Sequence, residues 1–250
     1  MSARRVMVVT GGSRGIGAGI VREAAANGWD VAFTYKERAD AAEAVAADAI
    51  RCAPDARCRA FRADVRDSDA IVRLGDDVLE AFGTVHAVVA NAAVTHAGLA
   101  VSTSDETWHD VIGTNLTGAF YIVRQFLPEF LANRWGRIIF MSSIAARGMA
   151  GDAAYCASKA GLLGLSAALA KEYGRKGITS NTLLLSFFET DMTRDELTDE
   201  KRAFYSKHCP VGRIGEVSEV AAAVMYLTSD AAGFVTGQDI GVSGGLDWFH

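Results

Sequence analysis

The sequence predicts an α/β protein built around one doubly wound parallel sheet of about seven strands, with helices on both faces in three layers. Three features of the 250-residue chain support this prediction. Short apolar runs alternate with longer helical patterns along the chain, as in successive strand–helix units. A glycine-rich turn directly follows the first apolar run. No linker, low-complexity tract or short repeat interrupts the alternation, so we expect a single dinucleotide-binding and catalytic domain over residues 1–250.

The first half of the chain yields strands that alternate with helices. Apolar segments such as Val6-Met7-Val8-Val9 are typical of buried parallel strands. Gly28 is suited to ending the first helix. The predicted strands cover 5–9, 30–35, 58–63 and 86–90, and the helices run from the glycine turn to about 27, then over 39–50 and 69–82.

The second half continues the same alternation, and the chain contains only three prolines that could break an element. The predicted strands cover 137–141, 178–185 and 239–242, and the helices cover about 105–112, 114–132, 155–174, 191–207 and 216–228.

Composition argues against several classes of protein. The net charge is −5 and the pI is about 5.6, which does not suit a nucleic-acid-binding surface. Every apolar stretch is interrupted well before about 18 residues, so no membrane span is predicted. The N-terminus leads into a strand without a signal-peptide core. The four cysteines show no metal-ligand spacing, so we interpret them as reduced thiols of a cytoplasmic protein and expect no metal.

The glycine-rich turn, Thr10–Gly17, lies between a predicted strand and a predicted helix. Glycines let backbone amides approach a pyrophosphate, and the helix N-terminus adds partial positive charge. The spacing is Gly-x3-Gly-x-Gly rather than GxGxxG, so a plain tight turn is the alternative. The strand–turn–helix context nevertheless favours a nucleotide cofactor.

The end of the second predicted strand carries a cluster of charges. In nucleotide-binding sheets of this kind, an acid there binds the adenosine ribose of NAD. Here Lys36 and Arg38 flank Glu37, Tyr35 precedes them, and Arg14 lies in the glycine turn. Positive charge suits a 2′-phosphate, so we predict NADPH as the cofactor. A solvated surface cluster is the alternative.

Several polar residues come at or just after the ends of predicted strands. They are Asp64, Asn91, the pair Ser142-Ser143 and the loop at 185–191. Ligands of open α/β sheets bind beyond the carboxyl ends of the strands, so these residues and the glycine turn should face one crevice.

Tyr155 and Lys159 are four residues apart in a predicted helix, which places phenol and ammonium on one face. A nearby ammonium favours the phenolate, so we expect a lowered Tyr155 pKa and proton transfer near neutral pH. On spacing alone, an ordinary pair on a solvated helix is the simpler interpretation. Because the strand ends converge on one crevice, we favour the interpretation that Tyr155 and Lys159 are catalytic.

Taken together, these residues resemble the short-chain dehydrogenase/reductase family over essentially the whole chain. Thr10–Gly17 resembles the TGxxxGxG cofactor loop of the family, and Asn91-Ala92-Ala93 resembles its NNAG motif. Asp64-Val65 matches the acidic position that contacts adenine. Within the family, the nearest resemblance is to 3-oxoacyl-(acyl-carrier-protein) reductases. It implies a Rossmann-type fold, an NADPH-dependent ketoreductase and a homotetramer packed through the helices around 105–132 and 155–174 and through the last strand.

The resemblance also implies roles for individual residues. Asn115, Ser143, Tyr155 and Lys159 match the catalytic tetrad, with Tyr155 as proton donor and Lys159 on the nicotinamide ribose. Arg134 and Lys176 match basic positions that dock the acidic acyl carrier protein. The implied cofactor contacts are Gly11, Ser13, Arg14, Gly15, Ile16, Gly17, Tyr35, Lys36, Asp64, Val65, Asn91, Ala92, Ala93, Tyr155, Lys159, Phe188 and Thr190.

The chain departs from the family pattern in several places. Ala93 replaces the glycine of NNAG, which leaves the backbone less free to approach a cofactor, and Leu185-Ser186 replaces a Pro-Gly pair. The family spacing to Tyr155 fits Ser142, whereas the strand-end pattern favours Ser143. Aromatic residues at Phe187-Phe188 and at the C-terminus (247–250) could line an acyl channel or pack between subunits.

Two other functions fit the same residues. The first is an alcohol, sugar or steroid dehydrogenase that uses NAD or NADP. The second is a protein that binds NADPH without turning over a substrate, which the altered NNAG motif and the missing Pro-Gly pair would suit. The intact Asn, Ser, Tyr and Lys set favours an enzyme.

Overall fold

The sheet is the centre of the molecule. A computed structural model of the chain describes residues 4–190 and 198–246. Its seven strands are β1 (Arg5–Val9), β2 (Trp29–Tyr35), β3 (Cys58–Arg62), β4 (Ala87–Ala90), β5 (Gly136–Ser143), β6 (Ile178–Leu185) and β7 (Asp239–Val242). These strands match the predicted ones to within a few residues.

The helices follow the strands in alternation. They are α1 (Gly15–Ala26), α2 (Ala39–Cys52), α3 (Ser68–Phe82), α4 (Asp105–Ile112), α5 (Gly118–Asn133), α6 (Ala153–Tyr173), α7 (Asp199–His208) and α8 (Val217–Thr228). Local sequence sets several ends. Asp67 accepts hydrogen bonds from the amides of Asp69 and Ala70 to begin α3, and Gly83 ends it in a left-handed conformation.

All neighbouring strands are parallel, in the order β3-β2-β1-β4-β5-β6-β7. The chain runs outward from β1 to β3 and then returns to place β4 on the other side of β1. The carboxyl ends of β1 and β4 therefore flank the topological switch point, where such sheets bind ligands. The predicted doubly wound parallel sheet is confirmed.

Alternate residues of the strands feed two separate cores. In β1, Met7 and Val9 pack with α1, α2 and α8, whereas Val6 and Val8 pack with α3, α5 and α6. Both faces of a parallel sheet are covered in this way, which explains why its strands read as continuous apolar runs. The three predicted layers are present.

Two elements differ from the sequence-based expectation. Strand β5 extends through Ser143, so the serine pair belongs to the strand rather than following it. Helices α4 and α5 are joined by a π-helical turn, Gly113–Thr117. Within the described residues, the predicted helix at 191–207 corresponds to α7, Asp199–His208. Positions 191–197, with part of the predicted helix and Asp191-Met192-Thr193, and the C-terminal aromatic residues at 247–250 lie outside the described residues.

Helix α6 and the short turn after it, Ala153–Lys176, are long and apolar enough to cross a membrane by length and composition. In the fold, however, this helix packs against β5 and β6. Its polar residues Ser158, Lys159 and Ser166 are buried. These are the properties of a core helix in a doubly wound sheet.

Candidate active site

A crevice of about 430 Å³ opens at the carboxyl edge of the sheet beside the switch point. This volume is in the range of small-molecule and cofactor sites. It brings together most of the residues singled out in the sequence. The lining includes Gly11, Ser13, Arg14, Gly15, Ile16, Gly17, Tyr35, Lys36, Asp64, Val65, Asn91, Ala92, Ala93, Ser143, Tyr155, Lys159, Phe188 and Thr190.

The glycine turn is locked to the end of β4 by hydrogen bonds. The Thr10 hydroxyl accepts from the amides of Asn91 (2.9 Å) and Ala92 (3.0 Å). The Asn91 side chain donates to the carbonyls of Thr10 and Gly11. Gly17 must lack a side chain, because a Cβ there would overlap the Gly11 carbonyl oxygen. The turn is therefore a fixed surface.

The first turn of α1, Gly15–Gly17, lines this crevice. Arg14, the residue before the helix, makes no side-chain capping bond, and the first turn contains no acid. The first amides of a helix need a partner, and an anion supplies both acceptor and charge complement. A pyrophosphate fits this uncapped end, with the exposed guanidinium of Arg14 beside it.

The opposite end of the crevice holds Asp64 in a fixed, ionised state. Arg66 donates to both of its carboxylate oxygens, from Nε at 3.0 Å and Nη2 at 2.6 Å. Lys36 Nζ lies 3.4 Å from Asp64 Oδ2. The hydrogen bonds from Arg66 are the main reason that the pKa of Asp64 falls to about 2. Two cations thus hold the carboxylate in place.

Arg66 also links the Asp64 end of the crevice to helix α4 and to the loop beyond β4. The sequence did not predict this link. Its Nη1 lies 2.5 Å from Asp110 Oδ1 in α4, and His96 Nε2 lies 3.0 Å from the other oxygen of Asp110. These residues are 44 and 14 positions apart in the chain. No local pattern signals such contacts.

The two serines of β5 point to different partners. Ser142 is buried and donates its hydroxyl to the Lys159 carbonyl oxygen at 2.9 Å. Both serines border the crevice, but the Ser143 hydroxyl accepts from the Ala145 amide at 3.1 Å and hydrogen-bonds to Tyr155. Adjacent strand residues face opposite sides. The geometry therefore favours Ser143 as the serine that faces a substrate.

Tyr155 and Lys159 are brought together, but the expected pKa shift of the phenol is wrong. The Lys159 Nζ lies 5.4 Å from the centre of the Tyr155 ring and donates to the Met141 carbonyl oxygen at 2.7 Å. Burial raises the pKa of Tyr155 to about 12, against a smaller lowering by the Ser143 hydrogen bond. Burial also lowers the pKa of Lys159 to about 8. Desolvation favours the neutral form of both groups and sets the direction of both shifts.

This shift makes the stability of the fold depend on pH through Lys159. Between about pH 8 and 10.5 the unfolded chain binds more protons at Lys159 than the folded one, so unfolding should cost more as pH rises. Across this window, the free energy of unfolding of the wild type should rise by roughly 3 kcal/mol relative to Lys159→Met. Denaturant titrations at both ends of the window measure it. A difference in the free energy of unfolding between the two proteins that does not change with pH would refute the lowered pKa of Lys159.

Asn115 does not line the crevice; it holds the wall behind it. It lies in the π-helical turn, accepts from the Val94 amide at 2.8 Å and donates to the Val94 carbonyl at 2.9 Å. It also donates to Ser158, whose hydroxyl donates to the Tyr155 carbonyl oxygen. Asn115 therefore ties the loop after β4 to the helix that carries Tyr155.

The departures from the family pattern cause little distortion. Among described residues other than glycine, only Arg134 has a positive φ, so Ala93 needs no left-handed backbone. Leu185 stays paired within the sheet beside Ser143. Phe188 is 4% exposed and packs where a Cβ on Gly215 would lie, and Phe187 stacks on Tyr205 with ring centres 3.6 Å apart. Both aromatic rings are packed against the protein.

Arg134 and Lys176 are not near the crevice. They precede β5 and β6, at the amino edge of the sheet, whereas Ser143 and Tyr155 lie at the carboxyl edge. Strand β5 separates the two edges by roughly 25 Å. The structure thus leaves the proposed docking positions and the reactive positions on opposite sides of one subunit.

Comparison with known proteins identifies the class. A family model described as enoyl-(acyl carrier protein) reductase matches residues 11–247. The solved structure of a mutant short-chain dehydrogenase/reductase from Serratia marcescens superposes with a TM-score of 0.89 at 31% identity, covering 97% of each chain. The chain belongs to the short-chain dehydrogenase/reductase family, as the sequence motifs predicted.

More specific similarity is to 3-oxoacyl-[acyl-carrier-protein] reductases named FabG. The chain is 37% identical over 243 residues to the protein from Haemophilus influenzae, covering 97% of this chain and 98% of the relative. It is also 37% identical over 243 residues to that of Escherichia coli K12, with 97% of each covered. The protein from Staphylococcus aureus Mu50 is 37% identical over 247 residues, with 98% and 99% covered.

Proposed function

We propose that this protein is an NADPH-dependent reductase that converts a 3-oxoacyl thioester, carried on acyl carrier protein, to the 3-hydroxyacyl product in fatty-acid or polyketide-type biosynthesis. One observation carries the proposal. A phosphate-binding turn and a Ser143–Tyr155–Lys159 group line the same crevice. The similarity to FabG reductases over nearly the whole chain supports this substrate class.

The residues around the crevice suit NADPH. The uncapped α1 end and Arg14 would hold the pyrophosphate, and Lys36 with Arg14 would hold the 2′-phosphate. Asp64 would accept from the adenine, and Val65, the segment Asn91–Ala93 and Thr190 would border the bound nucleotide. When bound, the cofactor supplies a hydride for the 3-oxo carbon.

Tyr155 gives the proton that the developing alkoxide needs. Its pKa of about 12 keeps the phenol protonated across the neutral range, the correct state for an acid in a reduction. Ser143 donates a hydrogen bond to the same substrate oxygen, and one such donor typically contributes a few kcal/mol to the transition state. Burial, and not the charge of Lys159, is the largest influence on this pKa, contrary to the expectation from sequence.

Lys159 and Asn115 position the reacting groups. Lys159 is fixed by the Met141 carbonyl, which aims its ammonium at the floor of the crevice where the nicotinamide ribose would lie. Asn115 fixes the loop at Val94 and, through Ser158, the first turns of α6. Proton resupply to Tyr155 through this region stays a prediction.

The proposed function includes docking of acyl carrier protein and assembly into a homotetramer. Since Arg134 and Lys176 lie on the far edge of the sheet, a carrier docked there could serve only the crevice of another copy. The proposed homotetramer supplies such a copy. Exposed Trp108, Phe120 and Leu131 on α4 and α5 support packing between copies. The four free thiols support a cytoplasmic location, and all 250 residues would act as one domain.

A substrate and cofactor panel tests the proposal. Initial rates of NADPH oxidation should be highest with 3-oxoacyl chains on carrier protein, lower with the free thioesters, and much lower with NADH. The carrier preference should be lost in Arg134→Glu, while the rate with free thioesters is kept. Equal rates with and without the carrier would reject docking.

The same panel separates the alternatives. Faster turnover of a simple alcohol, sugar or steroid with NAD would favour another dehydrogenase of the family. Tight NADPH binding without turnover of any carbonyl compound would favour a cofactor-binding subunit. The close Ser143–Tyr155 contact argues against the latter.

A further inference from the structure

Asp152 joins the two loops that border the crevice. Its carboxylate accepts a hydrogen bond from the Thr95 hydroxyl at 3.1 Å, across 57 residues of chain. Beside it, Gly98 forms a short parallel bridge with Asp152 and donates its amide to the Gly151 carbonyl at 2.7 Å. The loop after β4 and the loop after β5 are therefore joined at this point by side-chain and backbone contacts.

The side chain of Asp152 does not cap helix α6, although Asp152 is the N-cap residue. It is the residue before α6, where an aspartate usually accepts from the amides of the first turn and adds about 1 kcal/mol. Here it makes no capping bond to the helix. The carboxylate accepts a hydrogen bond from Thr95 instead. The helix therefore lacks a side-chain cap, and the two loops are linked by this hydrogen bond.

Asp152 also lies three residues before Tyr155, on the same face of the helix start. The titratable groups around the phenol are Asp152, Cys156 and Lys159, all from the α6 segment. Strand β5 contributes the hydroxyl of Ser143. The negative charge of Asp152 opposes formation of a phenolate and is one cause of the raised pKa of Tyr155.

We propose that Asp152 is a positioning residue for Tyr155: it fastens the loop at Thr95 and Gly98 to the start of the helix that carries Tyr155, and it places a negative charge one helical turn from the phenol. The assignment rests on the proposed reductase function for its catalytic meaning. In catalysis the charge would appear as a displaced pH profile, because oxidation of the 3-hydroxyacyl product needs the phenolate, whereas the equilibrium between the two directions is unchanged.

Two substitutions separate the charge from the tie. Asp152→Asn keeps an oxygen for Thr95 and removes the charge. Thr95→Val keeps the charge and removes the hydrogen bond. The matched control is Asp77→Asn, which makes the same charge change on the exposed face of α3.

The direct readout is the phenolate absorbance of Tyr155, taken as the difference between each protein and its Tyr155→Phe form at about pH 10 to 11. A unit charge one helical turn away in water shifts a pKa by roughly half a unit, so Asp152→Asn should show about threefold more phenolate. Thr95→Val and Asp77→Asn should match the wild type. An unchanged signal in Asp152→Asn would overturn the proposal.

Kinetics supply the second readout. For oxidation of the 3-hydroxyacyl thioester below the phenol pKa, kcat/KM of Asp152→Asn should rise by up to about threefold, with the pH profile displaced toward lower pH. Thr95→Val should raise KM for the thioester without displacing the profile. If the KM of Thr95→Val equals that of the wild type, the hydrogen bond between Thr95 and Asp152 does not position the loop. The absorbance readout needs no substrate, so it stands even if the reductase function itself fails.

Discussion

Replacing Tyr155 by phenylalanine should lower the turnover of a 3-oxoacyl thioester by about 10²- to 10⁴-fold, the contribution typical of a positioned proton donor. The substitution removes one hydroxyl from the crevice and leaves the ring, which packs beside Lys159. NADPH affinity should stay close to that of the wild type. Stopped-flow reduction with saturating NADPH measures the rate, and quenching of protein fluorescence measures the affinity.

The matched control for this experiment is Tyr226→Phe, which removes a phenol from the exposed side of α8. Its turnover and affinity should both equal those of the wild type. Turnover by Tyr155→Phe within a few-fold of the wild type would exclude Tyr155 as the donor. Loss of NADPH binding instead would mean that its hydroxyl serves the cofactor.

Gly17→Ala should distort the cofactor site, although it adds only a single methyl group. The new Cβ would overlap the Gly11 carbonyl oxygen and lie 2.7 Å from the Asn91 side-chain nitrogen. Neither contact can give way without moving the glycine turn off the end of β4. We expect about 1–3 kcal/mol of destabilisation, as in overpacked cores, and at least roughly tenfold weaker NADPH binding. Thermal unfolding and cofactor titration measure these effects.

Gly174→Ala is the corresponding control. Gly174 has helical dihedral angles at the end of α6, and a Cβ there would meet no atom within 4 Å. Alanine should therefore leave NADPH binding unchanged and raise stability by up to about 1 kcal/mol. Wild-type affinity in Gly17→Ala would contradict the fixed phosphate-binding turn.

Much of the fold could be predicted because its signals are local. Strands buried on both faces must be apolar throughout, and segments such as Val6–Val9 show this directly. The glycine turn could also be recognised, since its strand–turn–helix context is contiguous in the chain. The parallel arrangement and the placement of strand ends at one crevice then follow from the alternation of elements.

Other features could not be predicted, because they depend on contacts between distant segments or on burial. The tie from Asp152 to Thr95 spans 57 residues, and the bond from Arg66 to Asp110 spans 44. The Tyr155–Lys159 spacing gave the correct pairing but the wrong direction of the Tyr155 pKa shift. Spacing places two groups on one helix face, whereas the balance between attraction and desolvation depends on what covers that face.

The placement of Arg134 and Lys176 is different, because it follows from the predicted sheet. Each is a basic residue just before a strand, and in a parallel sheet such positions lie at the edge opposite the strand ends that form the crevice. The docking role came from the resemblance alone, which does not consider the distance to Tyr155 within one subunit.

The most direct measurement of the proposed reaction is its stoichiometry. Purified protein is mixed with NADPH and a 3-oxoacyl chain on acyl carrier protein, and both NADPH loss and 3-hydroxyacyl product are quantified over time. We expect one 3-hydroxyacyl thioester per NADPH consumed, at a rate that falls to background in Tyr155→Phe. NADPH loss without that product, or no consumption above the protein-free control, would contradict the proposed reductase function.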